Sequence, residues 1–299
     1  MNALWALIKR NTKLFFKDKG LLFTSLVTPL ILLLLYATFL AEVYRDSFAM
    51  SIPQGVEVSE KLINACVGGQ LLSSLLAVCC VTVAFCSNML MVQDKMNGAN
   101  KDLLMTPVKK STMALAYYIA TAFATLIVCI IAILACFVYL AIVGWYLSVT
   151  DVLLLFLDVF ILVMFGTALS SIINCFLSTQ GQMSAVGTIV SAGYGFICGA
   201  YMPISQFGDG LQKVISLLPG TYGTSLIRNH ALGGVFAEMS ASGFPSEVIT
   251  GIRDSVDCNL YFFGTKVEIG MMYLVLSLCT IALIGVYILI NRLLSRKKG

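Results

Sequence analysis

Hydrophobic positions in this 299-residue chain come in long unbroken blocks and show no strand-like alternation, a pattern that predicts membrane-spanning helices. A span needs about 20 predominantly apolar residues, because the hydrocarbon core is about 30 Å thick and a helix rises about 1.5 Å per residue. Six blocks meet that requirement: residues 21–41, 66–92, 112–143, 152–176, 183–202 and 269–290. An apolar hairpin at GWYLSVT separates the third from the fourth, and STQGQ is the polar break before the fifth. The first block exceeds the core of a cleaved signal and no A-x-A site follows it, so it reads as a retained span.

Three segments outside the blocks carry their own patterns. Residues 1–20, wound at about 100° per residue, set Leu4, Trp5, Ile8, Phe15 and Phe16 on one face and Lys9, Arg10, Lys13 and Lys17 on the other. This predicts a helix lying in the membrane interface, with Trp5 and the lysines at headgroup level. In the stretch from Gln93 to Ser111, Asp94, Lys95, Lys101 and Asp102 alternate in sign, with Met96, Ala99, Leu103 and Leu104 between them. The spacing predicts a short amphipathic helix. Thr106-Pro107 then predicts an N-cap with proline at the first position of a new helix running into the third span. Spacing leaves two readings of the short helix open: its leucines dip into the interface, or they dock into a groove on a cytoplasmic partner. Residues 203–268 form an outer segment whose VISLLPGTYG portion is too short to span and is broken by Pro219 and Gly220, which predicts a re-entrant or interface-lying helix pair. Its polar second half, from Glu238 to Lys266, reads as a small lid.

The expected fold is therefore an all-α polytopic membrane protein of one domain, residues 1–299. It has six transmembrane helices, an N-terminal interfacial helix, a short cytoplasmic helix and an outer segment before the last span. Composition agrees: 59% of residues are hydrophobic and 11% charged, where a soluble chain is about a quarter charged. Charge sets the expected orientation. Thirteen of the 19 basic residues fall in residues 9–19, 95–110 and 292–298, so both termini and the Gln93–Ser111 stretch are expected on the cytoplasmic side of the plasma membrane. The bilayer is the expected surroundings, and nothing in the pattern calls for nucleic acid.

Candidate chemistry is sparse. No G-x-x-x-x-G-K-[ST] occurs, so the chain lacks the cradle that holds the phosphates of ATP. His230 is the single histidine, which excludes a two-histidine zinc site, and it reads as a surface residue of the outer segment. Gly208-Asp209-Gly210 has no partner aspartate within a span and reads as a turn. Eight of the ten cysteines fall in spans as small apolar groups; for Cys66 and Cys258 a mutual bridge, a bridge from Cys258 to a second subunit and free thiols all stay open. Asp158 is the one ionisable group well inside a span, either reaching hydrated headgroups or serving a cation or proton path, and no second intramembrane charge stands with it. Thr82, Ser87 and Asn88, near Ser73 and Ser74, could wet a seam of the second span. Ser191, Gly195 and Gly199 recur every four residues in the fifth, so a neighbouring helix can approach along that stripe. Such a lining suits an apolar or amphipathic solute better than an ion.

The stretch DKMNGANKDLLMTPV, Asp94 to Val108, resembles the cytoplasmic loop of type-2 ATP-binding cassette (ABC) transporter permeases, with Gly98, Leu103-Leu104 and Thr106-Pro107 at the corresponding places. MPISQFGDGLQKVISLLPGTYG, with Pro203, Pro219 and Tyr222, and the following Arg228 are similar to that family's segment between the fifth and sixth spans. Met96 departs from the family, which often has an acidic residue there. The resemblance implies that Asp94 to Leu104 is a coupling helix seated in a separate ATPase subunit, with Asp94, Lys95, Gly98, Lys101, Asp102, Leu103, Leu104, Thr106 and Pro107 at that interface. It further implies two ATPase copies holding ATP and Mg, a second permease copy or a paralogous permease, and no cofactor or metal on this chain. The implied activity is export of a drug, antibiotic or peptide first, and of a lipid-linked glycan second. An ATP-independent channel or secondary carrier is the alternative, and it would call for working intramembrane charges or inverted repeats with broken helices.

Overall fold

The computed structural model describes residues 3–50 and 59–296; the tail lysines Lys297 and Lys298 lie outside the described residues. Helix α1 (Ala3–Lys17) meets α2 (Lys19–Leu35) at 70°. Asp18 makes the corner, its carboxylate accepting the Gly20 and Leu21 amides at 2.9 and 3.0 Å and so capping α2. The inner face of α1 runs through Ile8, Asn11 and Phe15, with Ile8 against Ala116 and Ala120, while Trp5 and Lys9, Lys13 and Lys17 stay exposed. The helix of the first predicted span runs past residue 41: a π-helical turn at Tyr36–Leu40 carries it into α3 (Ala41–Met50).

The bundle is built around α4 (Glu60–Met96). Its 37 residues span about 55 Å, and the apolar stretch within it is buried throughout. A helix apolar on every side must be covered on every side. Here α2, α6 (Lys110–Val143), α7 (Val149–Phe176), α8 (Gln180–Ile197) and α10 (Pro219–Ala241) all pack on it. A Cβ at Gly166 of α7 would lie 2.8 Å from the Cys80 carbonyl of α4. Only glycine lets the two backbones come that close.

Among the described residues, four helices are long and apolar enough to cross a membrane, namely α4, α6, α7 and α12 (Ile269–Arg296), and the bent pair α1–α2 raises that to five. The predicted block at residues 183–202 is shorter than expected, because α8 stops at Ile197. Gly199 takes φ +73°, and the amides of Gly199 and Ala200 return to the carbonyls of Phe196 and Gly195, which closes the helix with a left-handed cap. The turns before α7 and α8 follow from sequence: Ser148 with Asp151 and Thr179 with Gln182 form reciprocal capping boxes.

The outer segment differs most from expectation. After a short turn of 3₁₀ helix at Ile204–Gln206 come α9 (Asp209–Ile215) and α10, with the break at Pro219 where it was expected. From there α10 runs on for 23 residues, buried against α4, α7 and α12. Only α11 (Ser246–Ser255) and a hairpin of β1 (Leu260–Phe262) and β2 (Thr265–Val267) lie where a lid was expected, and that hairpin departs from a purely helical fold.

Candidate functional site

Two features could handle a partner and a solute: the elbow between α4 and α6, and the cavity between α2 and α8. At the elbow Gly98 turns the chain with φ +80° into α5 (Ala99–Leu104). This left-handed residue divides the expected Asp94–Leu104 helix, so Asp94, Lys95 and Met96 end α4 and only six residues form the separate helix. Lys101 and Asp102 are exposed, Leu103 is half-buried, and Leu104 and Met105 are 40% and 89% exposed. Thr106 does not cap a following helix. Its hydroxyl donates backward to the Leu103 carbonyl at 2.6 Å, and α6 begins three residues after Pro107, behind an extended Lys109.

Asp94 and Lys95 are used inside the chain and not at an outer face. Arg10 of α1 donates to both Asp94 oxygens at 2.6 and 3.0 Å, and the Tyr117 hydroxyl of α6 donates to one of them. The Lys95 ammonium donates to the carbonyls of Asn174, Cys175 and Leu177 at 3.1, 2.7 and 3.0 Å. A cation there satisfies the last carbonyls of α7 and meets the negative end of its dipole. Two adjacent side chains thus bolt the end of α4 to α1, α6 and α7, with α5 standing out beyond the joint.

The cavity has a volume of about 1220 Å³ and runs from Asp18 and Gln180 at the elbow end to Tyr44 and Gln206 at the other. Thr28, Ile31, Met89, Thr188 and Ser191 line it between those ends, and Asp18, already capping α2, is the one charged residue in the lining among the described residues. Of the expected path residues only Ser191 lines it. Thr82, Ser87 and Asn88 are buried in the packing of α4: the Thr82 hydroxyl donates to Val78, and the Asn88 amide donates to Ser170 and Ser171 at 3.2 and 2.8 Å. Gly195 makes room for the ring of Tyr201 from its own chain, and Gly199 lies beyond the end of α8, so among the described residues the small-residue stripe seats no neighbouring helix.

Residues 2–231 match the family model of the ABC-2 type transporter. The chain belongs to this family. No curated protein matches it. The ABC-2 protein is a multi-pass membrane protein, the transmembrane subunit of a transporter.

Two buried polar centres fix α10 within the ABC-2 bundle, and both involve residues the sequence singled out. His230, expected at the surface, is buried, its Nδ1 2.6 Å from Asp158 Oδ2; Tyr273 of α12 donates to the other oxygen. Asp158 therefore has an ionisable partner inside the bundle. The signal was present in sequence: a lone intramembrane carboxylate demands a donor, and the single histidine lies in a helix of small and apolar residues. Arg228 is fully buried, donating to Asp257 at 3.1 Å and to the Gly199 carbonyl at 2.8 Å. Burial pushes the Asp257 carboxyl above its ordinary value, against the pull of Arg228 and the Ile204 amide. Tyr222 donates to the Ser216 carbonyl at 2.6 Å, Pro219 starts α10, and Pro203 precedes the 3₁₀ turn. All ten cysteines, Cys66 and Cys258 included, are free thiols.

Proposed function

We propose that this ABC-2 permease is the transmembrane subunit of an exporter driven by a separate ATPase, and that α5 is its coupling helix. The observation that carries the reading is the elbow: an exposed apolar tip at Leu104 and Met105 on a helix whose root is locked to α1, α6 and α7. Such a knob can enter a partner's groove, and a push on it reaches three helices at once. In this reading six spans, with α2–α3 and α8 counted, form one domain with both termini in the cytoplasm of a plasma-membrane protein. Two ATPases hold ATP and Mg, and a second permease copy or a paralogue faces the cavity between α2 and α8. Its largely apolar, hydroxyl-dotted lining, with Asp18 at one end, suits a hydrophobic or amphipathic solute, a drug, antibiotic or peptide before a lipid-linked glycan.

The test is mild-detergent co-purification of the tagged chain from its own membrane, beside a Leu104→Asp, Met105→Asp variant. An ATPase that accompanies the native chain and is lost from the variant supports the reading; its absence from the native chain after crosslinking overturns it. The Asp158–His230 pair favours a second reading, an ATP-independent, proton-linked carrier. Uptake into liposomes that persists without ATP and stops when the proton gradient is collapsed would select it.

A further inference from the structure

The hairpin before α12 has no role in the transport reading, yet its construction is specific. Tyr261 pairs with Lys266 and Phe262 with Thr265, and Phe263-Gly264 forms the two-residue turn. The root is fastened: Leu260 is buried, Val267 packs against the core, and Asp254 of α11 accepts from Asn259 at 2.6 Å and from the Tyr261 hydroxyl at 3.1 Å. The tip is bare. Tyr261, Phe262 and Phe263 are 45%, 40% and 64% exposed, the two phenylalanine rings meet edge to face at 4.8 Å, and Lys266 is exposed beside them.

The turn backbone adds an independent observation. Phe263 has φ +48° and Gly264 φ +87°, the signs of a primed hairpin turn, which favours Asn-Gly or Asp-Gly. Glycine adopts this freely, but an L-residue with a bulky side chain is crowded there. A tip facing water has no use for a strained phenylalanine, since asparagine would both relax the turn and be solvated. Strain of this kind points to function.

Position supplies the occupant. β2 ends at Val267, and α12 starts at Ile269 with Ile269, Met271, Leu274 and Leu278 exposed along its first turns. The apolar, lipid-facing surface of a span therefore begins two residues from the hairpin. Trp145, 46% exposed in the turn joining α6 to α7, is a second aromatic outside the same end of the bundle. Aromatic rings with a neighbouring lysine gather where hydrocarbon gives way to headgroups.

We propose that the Tyr261–Phe263 tip is a lipid anchor. Its phenylalanines enter the boundary between acyl chains and headgroups, and Lys266 sits against lipid phosphates. The anchor fixes the height of α11 and of the start of α12 relative to the bilayer. This inference does not depend on the transport reading.

The test places a single tryptophan at the tip: Trp5→Phe and Trp145→Phe remove the native pair, and Phe263→Trp supplies the probe. The protein is reconstituted in vesicles of phosphatidylcholine and phosphatidylglycerol, with and without lipid brominated near the headgroup end of its acyl chains. The expected result is blue-shifted emission, a loss of about half the intensity on brominated lipid, and little quenching by aqueous iodide. Emission like that of free tryptophan, quenched by iodide and indifferent to bromine, would overturn the proposal. So would blue-shifted emission that neither quencher reaches, since a second copy or another protein would then cover the tip. Phe262→Trp in the same background gives a second reading away from the left-handed position and decides the matter if the first variant fails to fold.

Discussion

Arg228 has no exposed surface and is held by one carboxylate and one carbonyl, so its replacement strands Asp257 in a dry site. Arg228→Leu should cost about 3–5 kcal/mol, the range for breaking a buried ion pair from one side. The Arg228→Leu, Asp257→Leu double variant should recover much of that loss, and thermal unfolding in detergent compares the two. Asp158 sets a gentler test, because its partners His230 and Tyr273 both have donors to offer. Asp158→Leu should lose about 1–2 kcal/mol, the scale of hydrogen bonds inside membrane bundles, while Asp158→Asn keeps an acceptor and should lose less.

Among the elements, the joint at the end of α4 makes the sharpest predictions. Lys95→Met removes the donor shared by three carbonyls, so hydrogen exchange in the last turn of α7, around Asn174 to Leu177, should speed up while the rest of α7 keeps its protection. Gly98→Ala meets no neighbouring atom, so its cost, about 1 kcal/mol, comes only from the left-handed backbone. It should leave the ATPase bound and reduce transport per ATP hydrolysed, which a coupled assay in liposomes would measure. These elements also show what the sequence could reveal. Apolar length found the long helices α4, α6, α7 and α12, and the breaks GWYLSVT and STQGQ marked the turns that the Ser148–Asp151 and Thr179–Gln182 boxes close, because both signals lie within one stretch of chain. Asp94 and Lys95 read as part of the short cytoplasmic amphipathic helix, because partners 84 and 79 residues away leave no local trace. His230 reads as a surface residue for the same reason, its carboxylate lying 72 residues upstream, and α10 reads as part of an outer re-entrant or interface-lying pair until its glycines are seen packed among other helices.

For the whole molecule, the proposed exporter puts substrate and a second permease at the cavity between α2 and α8. Ser191→Trp should fill its middle, abolishing transport while the ATPase still co-purifies; unchanged transport would move the path elsewhere. The burial of α4 on every side has a further consequence, in the order in which the chain is made. Ribosomes deliver α4 before α6, α7, α8 and α10, four of the five helices that cover it. The hydroxyls that receive the Asn88 amide arrive 82 and 83 residues later, and the end of α10 follows α4 by 145 residues. At about 5–20 residues per second that delay is on the order of ten seconds. Until α7 arrives, Asn88 lacks the hydroxyls that receive it in the finished protein. The newborn helix thus has to shelter in the insertion machinery or beside a membrane chaperone, and a chain stalled between α4 and α7 is the form that quality-control proteases would find with its polar seam bare.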